Sequence, residues 1–237
     1  MSSPAGSPPD VGVVIVAAGA GVRAGPGEPK QFRSILGVPL LLRALRAFIS
    51  HPDVGQVVVA LPRGFAERPP EWLAKLPAER LTLVTGGESR TASVRAGLRA
   101  LRPGPSVVLV HDAARPFVSR ETIDAVIARA RTGVGAVAAI PLHDTLKEVV
   151  NSAALRVGRT VSRERLWRAH TPQGFPRGML EQVYKGKSDP EPPATDDAEL
   201  CERAGYPIEI VEDAPHNFKV TTAEDFRIAE ALARELR

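Results

Sequence analysis

Short apolar runs alternate along the chain with stretches of helical periodicity. Strand-length runs fall at 11–17, 56–61, 81–84, 106–110, 135–140 and 208–211. They are continuously apolar rather than alternating, the pattern of strands covered on both faces. Between them, 39–50 gathers Leu41, Leu45, Phe48 and Ile49 on one helical face. In 90–101, Val94, Leu98 and Leu101 point inward, with Arg95, Arg99 and Arg102 expected outside. Ser119 reads as the N-cap of a helix over 119–131 that buries Ile123, Val126, Ile127 and Ala130. In 222–236, Thr221 and Thr222 precede Glu224 and Asp225 by the spacing of a capping box. Strands separated by helices predict a Rossmann-like three-layer α/β/α sandwich around a mostly parallel sheet.

The rhythm breaks at 143–162, where two extended, partly polar segments flank Asn151-Ser152-Ala153. This predicts a β-hairpin arm outside the main sheet. A plain surface hairpin and an arm that reaches a second subunit both fit. Pro190, Pro192 and Pro193 make 185–194 a loop. The length of 237 residues suits a single domain over 11–237, after a Ser/Pro-rich extension at 1–10 that is expected to be disordered.

Composition narrows the function classes. No apolar run approaches the roughly 20 residues of a membrane helix. The N-terminus lacks a basic segment followed by an apolar one, so no signal peptide is expected. The single cysteine, Cys201, excludes an internal disulfide and a cysteine zinc cluster, and it reads as a small buried hydrophobe. These features predict a cytoplasmic protein. The net charge of +4 suits either nucleic acid or a ligand with several phosphates. Aromatic residues at 5%, and the lack of a long Lys/Arg block, argue against nucleic acid. The five histidines are scattered and suggest no metal set.

Candidate chemistry begins after the first run, with Ala17, Ala18, Gly19, Gly21, Arg23 and Gly25 leading to Lys30. Glycines there let backbone N–H groups approach a phosphate. The spacing formally fits a dinucleotide fingerprint, which needs a helix to start inside the motif. Pro26 and Pro29 forbid that helix. What remains is a long phosphate-binding loop carrying two cations, better matched to a polyphosphate than to a nicotinamide cofactor.

These residues, with Pro29-Lys30-Gln31, resemble the 2-C-methyl-D-erythritol 4-phosphate cytidylyltransferases of the non-mevalonate isoprenoid pathway. Further strings match in family order: Gly86-Gly87-Glu88-Ser89-Arg90 with Ser93, His111-Asp112-Ala113-Ala114-Arg115-Pro116, Asp144-Thr145 with Lys147, Arg163 with Trp167, Thr171-Pro172-Gln173, Thr195-Asp196-Asp197, and Asn217-Phe218-Lys219-Val220-Thr221. The resemblance implies transfer of a cytidylyl group from CTP to the phosphate of a small polyol, with pyrophosphate released. It implies that Arg23, Lys30, Arg163 and Lys219 carry the catalysis. Ala17, Ala18, Gly19, Gly21, Gly87, Glu88, Ser93 and Asp112 are implied at the CTP site, and Asp112, Arg115, Thr145, Arg163, Thr171 and Lys219 at the acceptor. A Mg²⁺ held mainly by CTP phosphates, with Asp112 as a possible ligand, and a homodimer built through the arm are also implied. Two positions depart from the family pattern, Ala24 after the loop arginine and Glu88 where Asp is common. Loop pinning remains open for Arg115, capping of the next turn for Asp112, and an ordinary exposed position for Arg163 and Lys219; His111 has no assigned role. Two other functions stay open: a cytidylyltransferase for another polyol phosphate such as ribitol 5-phosphate, and a nucleotide-binding regulatory protein without turnover.

Overall fold

The computed structural model describes residues 8–19, 28–151, 153, 155–186 and 189–236. Its elements, in chain order, are β1 (Val11–Val16), β2 (Ser34–Ile35), β3 (Val38–Pro39), α1 (Leu40–Ile49), β4 (Val54–Leu61), α2 (Arg63–Glu67), α3 (Glu71–Ala74), β5 (Leu81–Thr85), α4 (Arg90–Ala100) and β6 (Val107–Asp112). There follow α5 (Arg120–Ala130), β7 (Gly135–Pro141), β8 (Leu146–Asn151), β9 (Arg156–Val161), β10 (Trp167–Pro176), α6 (Arg177–Val183), α7 (Asp197–Arg203), β11 (Ile208–Glu212) and α8 (Ala223–Glu235).

Seven strands form one sheet in the order β11-β7-β10-β6-β1-β4-β5. The pairs β1–β4, β1–β6, β4–β5 and β7–β11 are parallel; β10 runs antiparallel to both β6 and β7. The two faces of the sheet carry separate cores. On one, Val13, Ile15, Val57 and Leu109 pack with Leu45 and Phe48 of α1 and with Ile123 and Ile127 of α5. On the other, Val14, Val58 and Val110 pack with Val94 and Leu98 of α4, Leu180 of α6 and Cys201 of α7. Residues that alternate along β1 therefore serve opposite layers, which explains why the strand is apolar throughout. Each fully buried Leu or Ile contributes about 1.5–3 kcal/mol of transfer free energy.

The caps follow the local sequence. Ser119 accepts from the Thr122 backbone N–H at 3.1 Å, and Thr222 with Asp225 closes a capping box at α8. Gly97 lets α4 lie close on β1, since a Cβ there would meet Val14 Cγ1 at 2.4 Å.

Three expectations change. Arg95 is 8% exposed rather than outward, and its Nη1 lies 3.2 Å from Asp189 Oδ1. Asp10 belongs to the fold: its carbonyl accepts from Ser106 N–H at 2.8 Å and its carboxylate pairs with Arg131. Residues 1–7 lie outside the described residues. Finally β10 is a central strand that no apolar run announces. It carries Pro172, which cannot donate to a ladder, and the register shifts between Ala169 and Gln173 to take it in. The arm forms as expected, β8 and β9 making their own two-stranded sheet.

Candidate active site

Strand order reverses at β1: the chain proceeds from β1 to β4 and β5 on one side, then returns to place β6 on the other. A crevice outside the C-terminal ends of such strands is where open α/β sheets hold ligands. A cleft of about 590 Å³ lies there. Val16, Ala17, Ala18 and Gly19 line it from the end of β1, Asp112, Ala113 and Ala114 from the end of β6, and Gly87, Glu88, Ser89, Arg90 and Ser93 from the start of α4. Lys30, Gln31, Lys219 and Thr221 complete the wall.

The loop after β1 is anchored before it reaches the cations. Gln31 Nε2 donates to the Ala17 carbonyl at 2.7 Å and to that of Gly19 at 3.2 Å. Lys30 Nζ donates to the Val220 carbonyl at 3.0 Å, which ties the loop to the segment carrying Lys219. Gly21 and Arg23 lie outside the described residues. The turn before α4 is closed by Ser93, whose Oγ accepts from Gly87 N–H at 3.1 Å and donates to the Ser89 carbonyl at 2.9 Å. Ser89 caps α4 by accepting from Ala92 N–H at 2.9 Å. Gly86 packs against the β1 end so closely that a Cβ would sit 2.4 Å from Ala18 Cβ. Small residues thus let the turn before α4 lie close to the end of β1, and the helix start adds a partial positive charge.

Asp112 is the electrostatic centre. Lys219 Nζ donates to its Oδ2 at 2.7 Å, and Arg90 Nε to its Oδ1 at 3.2 Å. Burial opposes ionisation, but Arg90 and Lys219 together outweigh it and hold the carboxyl well below the usual carboxylate range. Burial likewise disfavours the Arg90 cation, yet Asp197 and Asp112 raise its pKa above the ordinary value. Arg90 and Gln31 had no role assigned from sequence; Arg90's place in the Gly86–Ser93 string was the available signal.

The remaining expected residues divide into two groups. Thr171 and Arg115 stand behind the cleft wall. The Asp112 backbone N–H donates to Thr171 Oγ1 at 3.0 Å. Arg115 Nη1 donates to the Asn217 carbonyl at 2.8 Å, fixing the segment that leads to Lys219. His111 joins them, with Nε2 3.0 Å from the Arg115 carbonyl and Nδ1 3.0 Å from Thr171 Oγ1. The carbonyl can only accept, so Nε2 carries the proton and the hydroxyl donates to Nδ1. Burial lowers the His111 pKa to about 4, consistent with that neutral ring. Thr145 and Arg163 stand exposed on and beside the arm, Arg163 donating to the His143 carbonyl. Neither is among the described residues that line the cleft.

The family model for 2-C-methyl-D-erythritol 4-phosphate cytidylyltransferase (IspD) matches residues 11–235, nearly the whole folded chain. The chain belongs to that family. Among its IspD relatives, the cytidylyltransferase of Streptomyces avermitilis is 43% identical over 100% of this chain and 96% of its own length. That of Salinibacter ruber is 42% identical, with 93% and 91% covered. The crystal structure of the Thermus thermophilus cytidylyltransferase superposes with a TM-score of 0.77 at 37% identity, covering 95% of this chain and 99% of that one. As an IspD protein the chain is a nucleotidyltransferase, which excludes the regulatory reading without turnover. No helix among the described residues is long and apolar enough to cross a membrane.

Proposed function

We propose that this enzyme transfers the cytidylyl group of CTP to 2-C-methyl-D-erythritol 4-phosphate, a step in non-mevalonate isoprenoid precursor synthesis, through the cleft built on Asp112, Lys30 and Lys219. The observation that carries the assignment of roles is the joining of two cationic segments at one strand switch point, Lys30 tied to the Val220 carbonyl beside Lys219. An oxygen of the acceptor's phosphate attacks the α-phosphorus of CTP. The bond from that phosphorus to the bridging oxygen of the β-phosphate breaks, and pyrophosphate leaves with the electron pair. The protein's share is to align the two phosphates and stabilise the charge that builds between them.

Lys30 and Arg23 serve the triphosphate. Ala17, Ala18, Gly19, Gly21, Gly87, Glu88 and Ser93 shape the cytidine side. Lys219 neutralises the attacking phosphate, and Asp112 orients Lys219. Arg115 and Thr171 act by fixing the Lys219 segment and the Asp112 backbone. Thr145 and Arg163 reach an acceptor from the arm of a second copy, which makes the working unit a homodimer. The exposed Val149, Val150, Leu155 and Val157 of the arm support this, since such a patch is unusual on a monomer's surface.

Asp112 and Glu88 are the carboxylates that line the cleft among the described residues. No group of three metal-ligating side chains occurs among those residues. This sparse oxygen set suits a Mg²⁺ held mostly by phosphates; Asp112 would join it only by sharing an oxygen already paired with Arg90 or Lys219. Bound there, the ion would neutralise triphosphate charge. Incubation with CTP, Mg²⁺ and 2-C-methyl-D-erythritol 4-phosphate releases pyrophosphate on this reading, and faster than with ribitol 5-phosphate at equal concentration. A folded protein that releases none, or prefers ribitol 5-phosphate, overturns it.

A further inference from the structure

Two motifs, Thr171-Pro172-Gln173 and Thr195-Asp196-Asp197, stand outside the lining of the cleft and are bound to each other. Gln173 Nε2 donates to Asp196 Oδ2 at 2.8 Å, while its Oε1 accepts from the backbone N–H groups of Asp197 at 3.1 Å and Ala198 at 3.0 Å. The start of α7 is thereby fixed to β10. Asp197, its first residue, is 0% exposed. The Tyr184 hydroxyl donates to Asp197 Oδ1 at 2.5 Å. Asp197 Oδ2 lies 2.8 Å from Arg90 Nη1, an ion pair whose geometry falls short of an aligned hydrogen bond. From Arg90 the chain of charges continues to Asp112 and Lys219. Signs alternate from a carboxylate sealed in the interior to an ammonium in the cleft.

A carboxylate removed from water persists in its charged form only against a compensating partner. A guanidinium is planar and rigid, so a carboxylate at one end sets the direction of the other. Among the described residues Arg90 Nη2 is buried without a hydrogen-bond partner, and the polar contacts of the guanidinium are those of Nη1 with Asp197 and Nε with Asp112. We propose that Asp197 is a positioning residue for the transfer reaction: it holds the Nη1 end of Arg90, so that Arg90 meets Asp112 through Nε alone and leaves Oδ2 to Lys219. Without the Asp197 charge, Arg90 turns to take both oxygens of Asp112 and Lys219 loses its partner. The effect reaches the acceptor's phosphate, although Asp197 touches no substrate.

The inference rests on the reaction proposed above. Its test is a double-mutant cycle read by pyrophosphate release, with melting temperature as the check on folding. Asp197→Asn lowers kcat/KM for the acceptor about tenfold and leaves KM for CTP within about threefold. In an Arg90→Met background, with no guanidinium left to turn, the same substitution changes kcat/KM less than about twofold. Losses that multiply in the double variant overturn the proposal, as does an Asp197→Asn enzyme with unchanged kcat/KM. Should Asp197→Asn not fold, Tyr184→Phe runs the same cycle without a change of charge: it lowers kcat/KM about threefold alone and not at all on Arg90→Met, and multiplied losses or an unchanged Tyr184→Phe enzyme again overturn the proposal. A wild type that releases no pyrophosphate overturns the reaction itself, an outcome distinct from either.

Discussion

At Asp112 two cations meet one buried carboxylate, and the consequences are local and measurable. Lys219→Ala removes the ammonium 2.7 Å from Oδ2 and should lower kcat/KM for the acceptor about a hundredfold, with KM for CTP little changed. Equal losses toward both substrates would remove Lys219 from the acceptor's phosphate. The pH dependence has two sources of the same sign. Asp112 ionises more readily folded than unfolded, where its pKa is about 3.9. Its contribution to stability is complete above that pH and is lost as pH falls through the folded value. His111 resists protonation in the folded chain, with a pKa of about 4 against about 6.5 unfolded. Its neutral form supports the fold above the unfolded value, and the support is lost as pH falls from about 6.5 toward about 4. Stability should therefore drop by about 2 kcal/mol between about pH 7.5 and about pH 5 from His111 alone. Urea unfolding at the two pH values measures the drop, and His111→Gln should shrink it.

The helix starts of this protein were written into short strings, whereas close packing was not. Thr222 and Asp225 make the capping box of α8 that their spacing foretold, and Thr222→Ala should cost about 1 kcal/mol of unfolding free energy. Gly97 sits in α4 with nothing in its neighbours to mark it. Its missing Cβ is what allows α4 to approach β1 at Val14, so Gly97→Val should destabilise by roughly 1–3 kcal/mol through overpacking. A melting temperature unchanged in that variant would mean the two layers adjust at no cost. Strand β10 shows the opposite limit. A proline and several polar residues hide a central strand, because hydrophobic periodicity cannot register a segment whose side chains serve a polar network. Thr171, Gln173 and His170 are all buried, yet each is hydrogen-bonded, Thr171 to Asp112, Gln173 to α7 and His170 to Asp213.

For the molecule as a whole, the proposed homodimer rests on the arm. Its apolar side chains stand exposed, Val150 at 62% and Leu155 at 73%, while Thr145 and Arg163 stay off the cleft wall. Val150→Glu with Leu155→Glu should shift sedimentation toward monomer and depress turnover in parallel. A monomeric variant with full activity would show that one chain suffices. The sequence by itself determined the layered α/β class, the capped helices, the position of the arm and the cationic motifs, because each is recorded within a few consecutive residues. It could not decide which motifs touch. That Asp197 reaches Arg90, that Lys30 is tied to Val220, and that Arg115 and Thr171 brace the cleft from behind depends on strand order and on β10 entering the sheet between β6 and β7. These are contacts between residues far apart in the chain, and only the packing of the layers brings them within reach of one another.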